Sequence, residues 1–272
     1  MDSIVVPLAL WPSIVGLPLV LTFNDLYAHI FPSPWFDKEP TDYWTNSNGV
    51  WPSPLGLTLG LLAVVVGHAS TLLYFLGWRT GRLGMKNPIQ KTGAPEYNAM
   101  ESLKEHLSQP EGFAMLGGYL ILTWMFGLMP ASYYSFKGGI NWYHVIAQLL
   151  IQDFVQYLMH NLEHNLDKTL YQLSHKPHHR FTNPKLFDAF NGSPGDTFLM
   201  ILVPLIVTAR LVNANVWSYM AFGSLYANWL TLIHSEYAHS WDHYFQLIGF
   251  GTAADHHVHH KLFKYNFGHL FM

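Results

Sequence analysis

Apolar residues along this chain are gathered into long uninterrupted blocks rather than spread at helical or strand spacing. Residues 3–23 carry no charged side chain, and neither do 54–78 or 112–135. Each block exceeds the roughly 20 residues a helix needs to cross a hydrocarbon layer about 30 Å thick. A fourth block, 140–159, is apolar except for Asp153. Residues 197–233 hold two more apolar stretches, broken between Arg210 and Asn215, which read as two spans or as a hairpin dipping into the bilayer. The pattern predicts an all-α integral membrane helical bundle of about four spans plus this membrane-dipping hairpin, with a helical cap outside the bilayer. It divides the chain into N-terminal membrane helices over 1–140 and a second domain over 141–272. The first block lacks the basic start of a signal peptide and contains Pro7, Pro12 and Pro18. It reads as a retained membrane helix kinked near Pro12 or Pro18.

Charge orients the bundle. Of the 14 Lys and Arg, 11 fall in three segments that the predicted spans place on one side: 79–111, 160–195 and the tail with Lys261 and Lys264. An excess of Lys and Arg marks the cytosolic face. The loop 24–53, with Asp25, Asp37, Glu39 and Asp42, then faces the lumen or exterior. The one glycosylation sequon, Asn191-Gly192-Ser193, falls on the cytosolic side before Pro194 and is expected to stay unmodified. The chain is expected to be an integral membrane protein, in the endoplasmic reticulum if the source is eukaryotic.

Composition sharpens the chemistry. Among 272 residues only 11% are charged, 17 are histidine and none is cysteine. Without cysteine there is no thiolate metal site, disulfide scaffold or cysteine nucleophile. A net charge of −3 offers no basic footprint for nucleic acid. Thirteen histidines lie between 160 and 269, and eight of them fall in ordered groups: His160 and His164; then His175, His178 and His179; then His256, His259 and His260, with His257 beside them off the pattern. Residues at i, i+3 and i+4 share one helix face. Each group therefore reads as a set of rings aimed one way, with the second helix starting near Pro177. His29, His68, His106 and His144 read as isolated anchors or core residues.

Imidazole is the commonest protein metal ligand. A zinc ion takes three or four protein ligands, so eight such rings suit two ions better than one. Neutral rings bring no charge, and carboxylates are then needed nearby to orient them and offset the cations. Asp153, an acid inside an apolar span, is the first candidate. Glu163, Glu236 and Asp255 are weaker ones. Imidazole accepts iron, zinc, copper or nickel, so spacing alone leaves the metal open.

The motifs resemble those of the fatty acid hydroxylase / sterol desaturase superfamily. Asp153, Tyr157, His160 and His164 resemble its D-x-x-x-Y-x-x-H entry. Leu173-Ser174-His175-Lys176-Pro177-His178-His179 resembles the sterol-desaturase second box. The run from His259 and His260 to Tyr265-Asn266-Phe267-Gly268 is close to a lathosterol-oxidase type of ending. His234 matches a single family histidine upstream of box three. The resemblance covers roughly 144–272. It departs in having Asp255 where histidine is usual, in the extra His239 and His243, and in stopping at Phe271-Met272 before the usual L-W-D-x-x-x-G stretch, so a truncated C-terminus is one expectation. The resemblance implies two iron ions (Fe2+, with zinc an expected occupant of purified samples) held by His160, His164, His175, His178, His179, His234, His256, His259 and His260, with Asp153 and Tyr157 as catalytic residues. It implies O2-dependent hydroxylation or desaturation of a lipid, a sterol or terpenoid before a fatty acyl chain. Electrons are expected from cytochrome b5 and its reductase, or a ferredoxin-type donor, because no dinucleotide-binding glycine motif occurs here.

Two other classes use parts of the same pattern: a zinc-dependent lipid hydrolase or isomerase on the same histidines, and a membrane metal transporter. Transporters place ligands near the bilayer midplane, whereas these histidines cluster past the cytosolic end of a span.

Overall fold

The computed structural model describes residues 60, 62, 69, 71–82, 87–94 and 110–271. The run 3–23 with its predicted kink, the loop 24–53, His29, His68, His106 and most of the run 54–78 lie outside the described residues. The described residues are helical, with no strand and two isolated bridges, Pro88 to Tyr237 and Phe250 to Phe271. Eight helices follow in order: α1 (71–79), α2 (Pro110–Met125), α3 (Trp142–Asn165), α4 (Lys168–Leu173), α5 (Pro194–Leu211), α6 (Val216–Leu232), α7 (Asp242–Leu247) and α8 (Ala253–Leu262).

α3 carries the first histidine pair at its C-terminal end. Asn141 starts it, its side-chain oxygen accepting from the amides of Tyr143 and His144 at 3.0 and 3.4 Å, which satisfies two of the donors a helix start leaves unpaired. The 24 residues run about 36 Å. Their faces are reversed relative to a water-soluble helix. Gln148, Gln152, Gln156, His160 and Glu163 are buried, while Tyr143, Ile146, Leu150, Phe154 and Leu158 are exposed. The inner polar stripe meets α5 through the Thr208 hydroxyl, which donates to Gln152 at 3.2 Å.

Three predicted spans are redrawn. The block 112–135 is not one helix: α2 ends at Met125, then Gly127 at φ 58° and Pro130 turn the chain into a 3-10 segment, Ala131–Tyr134. Its 16 described residues extend about 24 Å. The block 197–233 becomes two helices of different kind. α5 begins earlier, at Pro194, contains a π segment at Thr197–Leu202, and is the one helix among the described residues long and apolar enough to cross a membrane. α6 buries 14 of its 17 side chains against the rest of the protein. Trp124, Tyr133, Tyr134 and Phe136 share its core cluster, and its own Trp217 indole donates to the Phe136 carbonyl at 2.8 Å. A second core holds α1 to the histidine-bearing end through Tyr74, Phe75, Trp78, Leu186, Phe187 and Trp241. Beside it Arg79 pairs with Glu236 at 2.9 Å.

Candidate metal centre

Four segments bring the histidines together, one of them the end of α6, which supplies His234. α3 delivers His160 and His164 from its last two turns. Box two follows α4, and α8 carries box three. α8 starts on a capping box: Thr252 Oγ1 accepts from the Asp255 amide while the Asp255 carboxylate accepts from the Thr252 amide at 3.0 Å. Asp255 is thus occupied as a cap.

Box two does not form the predicted helix. α4 ends at Leu173, Ser174 closes it, and Pro177 introduces a 3-10 turn at His178–Arg180. The tighter turn rotates His178 away from His175 and His179. On α8, His259 and His260 are successive and so diverge by about 100° around the axis. Boxes two and three therefore split, box one stays whole, and two sets form. Set A is His160, His164, His175, His179 and His259; set B is His178, His234, His256 and His260. Within each, one ring nitrogen per residue lies within 4.8 Å of all the others.

The spacing within each set has a direct reading. Nε2 of His179 stands 3.1 Å from Nε2 of His164 and 3.1 Å from Nε2 of His259. In set B, Nε2 of His256 is 3.0 Å from that of His234 and 3.1 Å from that of His260, and His234 is 3.4 Å from His178. Metal–imidazole bonds of about 2.0–2.1 Å put neighbouring ligands of a tetrahedral or octahedral ion roughly 2.9–3.4 Å apart.

The other ring nitrogen shows which one keeps its lone pair. Nδ1 of His160 faces the Phe267 carbonyl at 2.8 Å, Nδ1 of His234 the Leu230 carbonyl at 2.7 Å, and Nδ1 of His259 the Tyr265 carbonyl at 2.7 Å. A carbonyl only accepts, so Nδ1 carries the proton and Nε2 is left as a bare donor atom aimed inward. Nε2 of His160 and of His175 are buried with no hydrogen-bond partner. Burial, reinforced by neighbouring rings, pushes His164 to about 3; burial likewise brings His259 to about 3 and His178 to about 4. The rings are neutral at ordinary pH, the form in which imidazole binds a metal. The donor set fits two metal ions.

The carboxylate nearest the rings is one that sequence reasoning missed. Asp196 Oδ1 accepts from Nδ1 of His175 at 2.6 Å. Glu163, whose carboxyl burial pushes up to about 8, stands 3.7 Å from the same nitrogen. Asp196 is delivered by the turn Asn191-Gly192-Ser193-Pro194-Gly195. The Ser193 hydroxyl caps the Asp196 amide at 3.1 Å and donates to the Ser174 carbonyl at 2.6 Å. Gly192 has no side chain because a Cβ there would overlap the Asp196 carboxylate. Pro at a first helical position followed by an acid reads in sequence as a helix start; nothing local signals that the acid points across to box two. His269 was missed too. Buried near both sets, its ring centroid is 5.3 Å from His160 and 5.2 Å from His256.

The structure uses Asp153 differently from a ring-orienting acid. Its carboxylate accepts from the backbone amides of His269, Leu270 and Phe271 at 3.0, 2.7 and 3.2 Å, pinning the C-terminal strap whose carbonyls orient His160 and His259. Replacing Asp153 by alanine leaves those buried amides unsatisfied and is expected to cost about 3–5 kcal/mol. The thermal midpoint in detergent measures it, and an unchanged midpoint in Asp153→Ala overturns the strap's dependence on this residue. Tyr157, on the same stripe of α3, is 41 % exposed and belongs to neither set. Glu236 serves Arg79 and the Leu186 amide. His239 stacks on Trp241 at 4.4 Å, and His257 faces the Ser235 carbonyl at 3.0 Å. Neither joins a set.

Comparison with known proteins agrees with this centre. The fatty acid hydroxylase family matches residues 145–272, which hold both sets. An "Alternative squalene epoxidase" of Phaeodactylum tricornutum is 54% identical over 267 residues, covering 96% of this chain and 75% of that protein. No solved structure matches the chain. With its paired histidine sets and this relative, the chain belongs to the fatty acid hydroxylase family and is an oxygen-dependent oxidoreductase.

Proposed function

We propose that this protein is a membrane monooxygenase that epoxidises squalene or a closely similar isoprenoid, using two iron ions held by sets A and B. The observation that carries the reading is the split of nine inward-facing rings into two adjoining sets, joined to the printed name of the relative. The balance is one alkene, one O2, two electrons and two protons, giving one epoxide and one water. That name moves the reaction from C–H hydroxylation or desaturation to oxygen transfer onto a C=C bond.

His160, His164, His175, His179 and His259 would hold one iron and His178, His234, His256 and His260 the other. Iron in these positions supplies the redox chemistry that lets O2 react with a closed-shell lipid. The chain's own part is positioning. Backbone carbonyls hold His160, His234 and His259 in one tautomer, and Asp196 holds His175. Burial of eight of the nine rings keeps water from the centre. Cytochrome b5 with its reductase, or a ferredoxin-type protein, supplies the electrons. The reversed faces of α3 support a bilayer setting, because its outer apolar side chains gain nothing from water. The histidine sets then sit at the cytosolic ends of the spans, in the endoplasmic reticulum of a eukaryotic host.

Anaerobically purified protein reconstituted with Fe2+, given squalene, 18O2 and a reductant, is expected to yield squalene epoxide carrying one 18O. Full activity under argon with stoichiometric zinc overturns the oxygenase in favour of a hydrolase or isomerase. Metal flux into liposomes without lipid oxidation overturns it in favour of a transporter.

A further inference from the structure

Eight of the nine ring ligands are buried; His164 alone is half-buried, so among the described residues the surface reaches the metal sets at that ring. A cavity of about 520 Å³ opens there, lined by His164, Asn165, Tyr171, Phe263, Lys264 and Phe267. Its volume falls in the roughly 300–1,000 Å³ range of small-molecule sites. Three of its walls are aromatic rings packed directly on set A. Tyr171 is 4.9 Å from His164, Phe263 is 4.9 Å from His179, and Phe267 is 5.2 Å from His164 and 5.3 Å from both His160 and His259. Set B, by contrast, is lined by no residue of this cavity and its four rings are all buried.

Phe263 is held there at a conformational cost. It caps α8 at φ 62°, a left-handed position that glycine usually fills and that bulky residues avoid. An aromatic residue kept in that conformation beside a metal-ligand ring points to a role for the ring itself. Exposed large side chains neighbour the lining residues in sequence: Leu166 follows Asn165, Leu173 stands two residues after Tyr171, Leu262 precedes Phe263 and Tyr265 follows Lys264.

We propose that this cavity is the subsite that receives the alkene end of an isoprenoid substrate, and that set A is the half of the centre at which the substrate stands. The occupant rests on the proposed epoxidase activity; the location rests on the geometry. π faces on three sides also suit an alkene carbon on which positive charge develops during oxygen transfer.

Phe263→Gly separates a substrate wall from a structural one, since glycine relieves the left-handed backbone and removes only the ring. Expected are an unchanged or raised thermal midpoint, unchanged metal content, and a KM for squalene raised at least about 10-fold, the lower end of what a hydrophobic pocket contributes to discrimination. Tyr171→Trp, which fills the cavity, is expected to raise KM in the same way. A squalene analogue with a terminal diazirine, photolysed on the full chain in nanodiscs, should label peptides containing Tyr171 or Phe263. If wild-type protein epoxidises squalene while both variants keep its KM and the label lands elsewhere, the cavity assignment falls and the activity stands. If squalene is not oxidised but another apolar alkene labels these peptides and is oxidised, the squalene reading falls and the cavity stands.

Discussion

His160→Ala and His178→Ala are each expected to abolish oxygen-dependent turnover while the chain still inserts and folds. The two substitutions test the sets separately. His160 lies fully buried at the end of α3, its Nδ1 tied to the Phe267 carbonyl, so its Nε2 has no role except toward set A. His178 is the residue that the 3-10 turn rotates out of box two and into set B, facing His234. Loss of a supporting group around a metal typically costs 10–100-fold, and loss of a ligand itself costs more. Metal analysis after anaerobic reconstitution is expected to fall from about two ions per chain toward one in each variant, in line with separate sets of donors. His257→Ala and His239→Ala should retain both ions, because those rings hydrogen-bond or stack outside the sets. Unchanged turnover in His160→Ala or His178→Ala removes that ring from the centre.

The parts of this centre that were legible in sequence are those governed by local periodicity. HxxxH on a long apolar helix puts His160 and His164 on one face wherever the helix ends, and the i, i+4 pair His256 and His260 stays together on α8 in the same way, while His259 between them goes to the other set. His234 was legible through the family resemblance, not through spacing. What spacing could not show is the partition. The residues of box two share a helical face only if the segment is an α-helix, and Pro177 makes it a 3-10 turn instead. His178 and His179 then diverge into different sets. Asp153 drew notice as a costly acid in an apolar run, which was sound; its partners, the amides at 269–271, lie more than a hundred residues away, and no local pattern announces them. The spans were read from hydrophobicity alone, and composition does not show which sides of an apolar helix meet protein: α6 buries 14 of its 17 side chains against the rest of the fold. α3 shows the converse, since its buried glutamines and exposed leucines and aromatics place its polar face toward protein.

Asp196→Asn carries the other large expected effect. In the wild type the carboxylate accepts a hydrogen bond from Nδ1–H of His175 at 2.6 Å, which turns Nε2 toward set A and raises its basicity. Asparagine keeps an acceptor oxygen but loses the charge, so ring orientation is partly retained while the support for a bound cation weakens. The expected outcome is a 10–100-fold loss in metal affinity or turnover. That loss falls on the ion in set A, and set B keeps its metal at full occupancy. Gly192→Ala reaches the same end from the backbone: the added methyl overlaps the carboxylate and must displace it. Ser193→Ala separates this from mere loosening of the turn. It removes the cap on Asp196 and the bond to Ser174, costs about 1 kcal/mol of stability, and leaves the carboxylate itself in place. Metal titration of the three variants, read alongside their thermal midpoints, distinguishes the roles. If Asp196→Asn binds both ions as tightly as wild type, or if Ser193→Ala loses metal as severely as Asp196→Asn, the carboxylate is only a part of the turn and His175 is oriented by something else.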